Sequence, residues 1–161
     1  MQIRPAVRDR DAPAVWRVIA PAFRAGETYP VARDVSEQDA LAYWFTAGHA
    51  VFVAEDANGV LGTYYLRANT GGGGAHVANC GYITAPAMRG RGIARAMCEH
   101  SLAQARERGF KAMQFNFVIS TNATAVKLWQ SCGFDIVGRL PRAFAHPTHG
   151  YVDALVMFRE L

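Results

Sequence analysis

The chain has 161 residues, of which 51% are hydrophobic, with 17 basic and 13 acidic side chains and a net charge of +4. That size and apolar content suit one domain with a real core, expected to span residues 1–161. No apolar run is long enough to cross a bilayer, and Met1-Gln2-Ile3-Arg4-Pro5 lacks the apolar centre of a secretion signal, so a cytoplasmic protein off the membrane is expected. The basic excess is interleaved with acids, as in Arg8-Asp9-Arg10-Asp11 and Arg106-Glu107-Arg108, which argues against a nucleic-acid partner. Cys80, Cys98 and Cys132 are odd in number and form no CxxC, so they read as reduced core thiols.

Residues 1–7 predict a first strand. Asp9 or Asp11 then offers a cap for a helix that carries Val15, Ile19, Ala22 and Phe23 at helical spacing. Residues 26–35 read as a mobile loop placed to cover a substrate, with Tyr29-Pro30 extended. Ser36 opens a second helix, whose N-terminal end is favoured by Glu37 and Asp39. Residues 51–55 and 60–67 form a hairpin around Asn58-Gly59. The glycines at 71–74 connect strands, because a strand-like run over 76–84 follows them. Residues 90–108 predict a third helix, stopped by Gly109. Residues 113–119 read as a strand buried on both faces. Ser120, Thr121 and Asn122 supply caps for a fourth helix running to Cys132. Two strands over 135–140 and 151–158 close the chain, joined by a loop containing Pro141, Pro147 and Gly150. The order β-α-α-β-β-β-α-β-α-β-β is an α/β (α+β) arrangement: one mixed, mostly antiparallel sheet of about seven strands with helices on both faces.

The most informative stretch is Met88-Arg89-Gly90-Arg91-Gly92-Ile93-Ala94, where a strand gives way to a helix. Glycines 90 and 92 let a ligand approach the backbone, and the first helical amides have no partners of their own. With the positive helix end and the arginines at 89, 91 and 95 they suit a pyrophosphate. A dinucleotide fingerprint from Gly90 fails at Arg95, and no P-loop lysine follows. Arg89, Gly92 and Ala94 instead spell Arg-x-x-Gly-x-Ala, with Pro86 just upstream. This resembles the acetyl-CoA loop of the GNAT N-acetyltransferases, and the element order is similar to theirs. The resemblance implies cofactor contacts from Ile83, Thr84, Arg89, Gly90, Arg91, Gly92, Ile93 and Ala94.

A second GNAT-like element is Asn122-x-x-Ala125-x-x-x-Trp129-x-x-x-Gly133-Phe134. The resemblance implies that Asn122 contacts the pantetheine arm. Trp129 stands where many GNAT enzymes carry a tyrosine acid, and an indole N–H does not replace that acid. Two further asparagines, Asn79 and Asn116, lie inside strand-like runs where asparagine is depleted. Each is either a satisfied buried amide or part of a polar site. The set His76-Val-Ala-Asn79-Cys-Gly, Phe115-Asn116-Phe-Val, Thr121-Asn122, Lys127-Leu-Trp129 and Gly150-Tyr151-Val-Asp153-Ala-Leu is similar to the fungal N-acetyltransferases of proline analogues. That similarity implies acceptor-site roles for Asn79 and Asn116.

The expected reaction is direct acetyl transfer to a small amine, favouring an amino or imino acid because the runs 76–84 and 112–119 hold no Asp or Glu. Backbone amides at Ile83 or Thr84 would polarise the carbonyl. The base is open between Glu55, His76 and ordered water. An acetyltransferase of protein N-termini and a silent CoA-binding module are the competing readings, and a homodimer is compatible with all three. His146 and His149 have HxxH spacing, but no third ligand clusters with them, so no metal is expected. Asp153 reads either as an anchor of the closing hairpin or as a substrate contact.

Overall fold

The computed structural model describes residues 1–161. The strands are β1 (Gln2–Pro5), β2 (Ala50–Asp56), β3 (Gly59–Ala68), β4 (Val77–Thr84), β5 (Ala112–Ile119), β6 (Asp135–His146) and β7 (Gly150–Glu160). The helices are α1 (Arg8–Ala25), α2 (Glu37–Trp44), α3 (Ile93–Glu107) and α4 (Ala123–Ser131). The strands form one sheet in the order β1-β2-β3-β4-β5-β7-β6, antiparallel everywhere except between β4 and β5. The mixed seven-stranded sheet expected from the sequence is therefore what forms. No helix is long and apolar enough to cross a membrane.

Alternation along the strands sends side chains to two cores. Against one face, α1 and α2 bury Val15, Ile19, Phe23 and Trp44 on Val51, Val53, Tyr65 and Ile83. Against the other, α3 and α4 bury Ile93, Met97, Leu102 and Trp129 on Tyr64, Leu66, Cys80, Met113 and Phe115. All three cysteines are buried and free, and burial pushes the Cys80 thiol up to about 12.

Several local expectations hold at atomic level. Ser36 caps α2, its Oγ accepting from the Asp39 N–H at 3.0 Å, and Asn122 caps α4, its Oδ1 accepting from the Ala125 N–H at 3.2 Å. α1 differs. Its cap is Val7, and Asp11 lies inside the first turn with its carboxylate accepting from the Val7 N–H at 2.7 Å. Asp11 is buried because Arg4 reaches it at 2.8 Å, which holds its carboxyl well below the usual carboxylate range.

The closing hairpin is much longer than the sequence reading. Residues 141–146, read as loop, continue β6, and only residues 147–149 remain outside the two strands. Pro141 and the following residues fit because the register shifts between Leu140 and Phe144, with Arg142 at φ +53. A bulge leaves proline's missing N–H and the left-handed residue outside the ladder.

Segment 26–35 is also not loose. Arg24 donates to the Arg33 and Val35 carbonyls, Arg33 donates back to the Arg24 carbonyl at 2.9 Å, and the Tyr29 hydroxyl donates to the Tyr82 carbonyl at 3.0 Å.

Candidate functional site

β4 and β5 pair only at Val77–Ala112 and Ala78–Met113, and then part. Where the ladder stops, the Asn79 side chain crosses the gap and its Nδ2 donates to the Gln114 carbonyl at 2.9 Å. From there β4 runs on to Thr84 without β5, which stays paired with β7 along its other edge, leaving an opening with strand backbone on each side. Neighbouring residues of a strand turn their backbone groups to opposite sides. Ala85 N–H donates to Leu61 and Asn69 N–H to Val77, so the odd residues of β4 face β3. The N–H of Ile83 accordingly faces Thr63, its partner on β3, and not the opening. Tyr82 and Thr84 present their amides to the opening. The thioester contact expected at Ile83 thus lies geometrically at Tyr82 or Thr84.

At the far end of β4, a turn over Pro86–Met88 leads into Gly90 and Gly92, with φ of +76 and +78. Gly92 is the cap of α3, and the first helical bond runs from the Ala96 N–H to the Gly92 carbonyl. The amides from Gly90 to Arg95 find no acceptor within the protein. A Cβ at Gly90 or Gly92 would meet nothing within 4 Å, so the space before these amides is open. Arg89 and Arg91 are exposed beside it. Arg95, expected at the same place, is drawn away: it donates to Ser131 Oγ at 2.7 Å and lies 3.9 Å from Glu99. The loop fits a pyrophosphate, with free amides in a row, open approach, a positive helix end and arginine flanks.

The two strand asparagines lie on the parting strands β4 and β5, and Asn116 belongs to a chain of side-chain amides on the α1/α2 face. Gln114 Nε2 donates to Asn116 Oδ1 at 2.9 Å, and Asn116 Nδ2 donates to Asn69 Oδ1 at 2.7 Å. Asn79 is buried, with Oδ1 free of intramolecular donors. Asn69 and Gln114 carried no sequence signal of their own. A groove of about 490 Å³ lined by Tyr29, Val31, Phe144 and His146 lies between the 26–35 segment and the tip of the β6–β7 hairpin, and Tyr29 reaches from it to the Tyr82 carbonyl of β4.

Other expected residues lie elsewhere. Glu55 is held by Arg4 at 2.6 and 2.7 Å, which keeps its carboxyl below the ordinary range and occupies both oxygens. His76 is exposed, at the paired end of β4, with Nδ1 near the Gly73 carbonyl at 3.1 Å. Trp129 is buried between Tyr82 and Phe115, with ring centroids at 5.0 and 5.2 Å, as a core aromatic. His146 Nδ1 accepts the N–H groups of Thr148 and His149 at 3.2 and 3.3 Å, which closes the hairpin tip. Asp153 anchors the bulge of β6: it accepts from Arg139 at 2.6 Å and from the Arg142 N–H at 2.9 Å.

An amide-flanked opening in a mixed sheet, followed by a glycine loop at a helix start, offers an extended ligand a free strand border and offers its phosphate group unpaired amides. Residues 14–134 match the Acetyltransferase (GNAT) family, and the chain belongs to that family: it is an acetyl-CoA-dependent N-acetyltransferase. Its sequence is 28% identical over 148 residues to the N-acetyltransferase aca1 of Schizosaccharomyces pombe, covering 81% of this chain and 71% of that protein. Its fold is similar to that of a GCN5-related N-acetyltransferase from Kribbella flavida, with a TM-score of 0.93 and 44% identity over 99% of this chain and 97% of the other. The GNAT superfamily phosphinothricin acetyltransferase of Sinorhizobium meliloti, solved in complex with acetyl-CoA, shares the fold at a TM-score of 0.86 and 21% identity, over 99% and 88% of the two chains.

Proposed function

We propose that this enzyme transfers the acetyl group of acetyl-CoA directly, in a ternary complex, to the nitrogen of a free amino acid or a cyclic imino acid such as a proline analogue. The observation that carries this reading is the opening between β4 and β5, floored by the neutral amides of Asn79, Gln114 and Asn116 with no carboxylate in either strand. A polyamine or aminoglycoside would be better served by acidic groups, whereas amides and cations suit a zwitterion.

In this reading the amides from Gly90 to Ala94, flanked by Arg89 and Arg91, hold the cofactor's pyrophosphate, and Asn122 contacts the pantetheine arm through Nδ2, since its Oδ1 is engaged as a cap. Acetyl-CoA supplies an activated thioester. The Tyr82 and Thr84 amides, fixed in β4, polarise its carbonyl and stabilise negative charge there, which preorganised donors do at little reorganisation cost. Asn79 accepts from the attacking amine through its free Oδ1, and Asn116 helps to fix the acceptor's orientation. With Trp129 in the core, no tyrosine from α4 serves as acid.

On the same reading residues 1–161 form one catalytic domain that works in the cytoplasm in detoxification. Exposed Ile136, Val137, Leu140 and Tyr151 on the outer β6–β7 hairpin support a homodimer.

The deciding experiment is CoA-thiol release across azetidine-2-carboxylate, proline analogues, other free amino acids, polyamines and short peptides. Selective turnover of amino or imino acids supports the reading. Turnover of peptides in preference to free amino acids replaces it with acetylation of protein N-termini.

A further inference from the structure

Two side chains on the same sheet face as Asn79 have no task in the mechanism above: His49 and Arg67. His49 directly precedes Ala50, which pairs with Leu66, so it comes opposite Arg67; Arg67 in turn pairs with Asn79 on β4. Alternation places all three on the α1/α2 face, because Val51, Tyr65 and Ile83, an even number of residues away along the same strands, are in that core. His49, Arg67 and Asn79 therefore form a row across three strands, about 10 Å from first to last Cα.

His49 is held on every side the structure describes. Its Nδ1 lies 3.0 Å from the Trp44 carbonyl. A carbonyl only accepts, so that nitrogen carries the hydrogen, and the neutral ring presents its lone pair at Nε2. The ring stacks on Tyr65 at 4.2 Å and 15°, with the Tyr43 ring edge-on at 6.5 Å. Nε2 has no hydrogen-bond partner in the protein. Arg67 is equally idle. Of the half-buried arginines, Arg4 is paired with Asp11 and Glu55, and Arg159 donates to the Cys132 carbonyl. Arg67 alone among them has no acceptor, although half-burial of a guanidinium without an anion is costly.

We infer that Arg67 and His49 form the acceptor subsite, the Arg67 guanidinium holding the carboxylate of an amino or imino acid while His49 Nε2 removes a proton from its ammonium. The inference rests on the amino-acid reading proposed above and assigns its missing base. The carboxylate and nitrogen of such a substrate are separated by one carbon, so the groups that bind them must be neighbours. His49 and Arg67 are, at about 5 Å between strands.

The proton balance closes without another reagent. A cyclic imino acid arrives with two protons on nitrogen. His49 takes one and passes it to solvent, which frees the lone pair for attack on the thioester carbon. The C–N bond forms, the C–S bond breaks, and the second nitrogen proton ends on the departing CoA sulfur. Burial lowers the proton affinity of His49, the bond to the Trp44 carbonyl opposes this and the charge of Arg67 adds to the lowering, so the ring is less basic than an ordinary histidine. The groups facing it are Tyr43 from α2 and Tyr65 and Arg67 from β3, with Arg67 the only charge among them. A carboxylate arriving on Arg67 offsets that charge, so the substrate strengthens the base that acts on it.

The test compares wild type, Arg67→Gln and His49→Gln on azetidine-2-carboxylate and on azetidine, which lacks only the carboxylate, with acetyl-CoA affinity measured by calorimetry. The wild type should prefer the acid, and Arg67→Gln should raise its KM at least tenfold and abolish the preference. In wild type kcat/KM should carry an acidic limb with an apparent pKa below the usual histidine value. His49→Gln should lose that limb and about 100-fold in kcat while binding acetyl-CoA normally. Unaltered preference in Arg67→Gln removes the carboxylate anchor, and an acidic limb that survives in His49→Gln removes the base. A wild type that prefers azetidine overturns the amino-acid reading itself, whatever the variants do. A wild-type profile without an acidic limb rules out His49 independently of whether the variant folds.

Discussion

Gly81→Ala tests how tightly the α1/α2 side of β4 is packed beside the opening. A Cβ at position 81 would stand 2.6 and 2.7 Å from two ring carbons of Tyr65 and 2.8 Å from its hydroxyl. The ring has nowhere to go. His49 stacks on it at 4.2 Å, Trp44 meets it edge-on at 5.0 Å, and the residue is only 6% exposed. Position 81 has no left-handed backbone, so the effect is steric alone. Forcing a methyl into such a core costs about 2 kcal/mol. For a chain this long, an unfolding entropy of roughly 0.34 kcal/mol/K converts that to a fall of about 6 °C in Tm. The measurement is differential scanning calorimetry beside Gly71→Ala, where an added Cβ meets nothing within 4 Å and the shift should stay near zero. A double variant with Tyr65→Leu then isolates the contact, since Gly81→Ala should become nearly neutral once the ring is gone. Equal Tm shifts for the two glycine variants, or strict additivity with Tyr65→Leu, would refute the steric reasoning.

Gly92→Ala places a methyl in open space but at φ +78, so it should cost about 1 kcal/mol in stability and weaken acetyl-CoA binding at least tenfold by calorimetry. Wild-type affinity in that variant would dismiss the amide cradle. Asp11→Asn should cost roughly 3 kcal/mol at pH 7, because it leaves the half-buried Arg4 short of a carboxylate. Asp11 is held ionised in the fold, so its contribution is full above the ordinary carboxylate pKa of about 4 and fades as pH falls through and below it. Urea unfolding at pH 7 and pH 3 should show a smaller acid loss in Asp11→Asn than in wild type; equal losses would count against the coupling. Iodoacetamide at pH 8 should leave Cys80, Cys98 and Cys132 unmodified in the folded protein and alkylate all three after unfolding. A thiol that reacts before unfolding contradicts the burial described here.

The elements that carry their own local signal were readable from sequence. The Asn58-Gly59 turn between β2 and β3, the Ser36 cap and the glycines at 90 and 92 each act within a few residues, and each sits where expected. The glycine loop with its unpaired amides, proposed above to hold the pyrophosphate, was legible for the same reason. The long β6–β7 hairpin was not, since Pro141 and a positive-φ arginine imitate a loop unless the partner strand is known. Asn79 and Asn116 stood out because amides are unusual in strands. Gln114 and Asn69 complete their network only through pairings far apart in the chain. His49 had no local mark at all. Its relation to Arg67 and Asn79 exists only once three strands are in register.

The outer margins of the sheet are poor templates for a further strand. β1 has four residues and ends in a proline, and β6 is bent by its bulge. The margin of β4 beyond Asn79 is different: it is straight, regular and lies in the middle of the molecule. This sheet therefore keeps its most adhesive border on the inside, where a chain that has lost β5 or β7 through local unfolding would offer it to a neighbouring molecule. The cofactor arm proposed above to lie along β4 would cover that border as well as deliver an acetyl group.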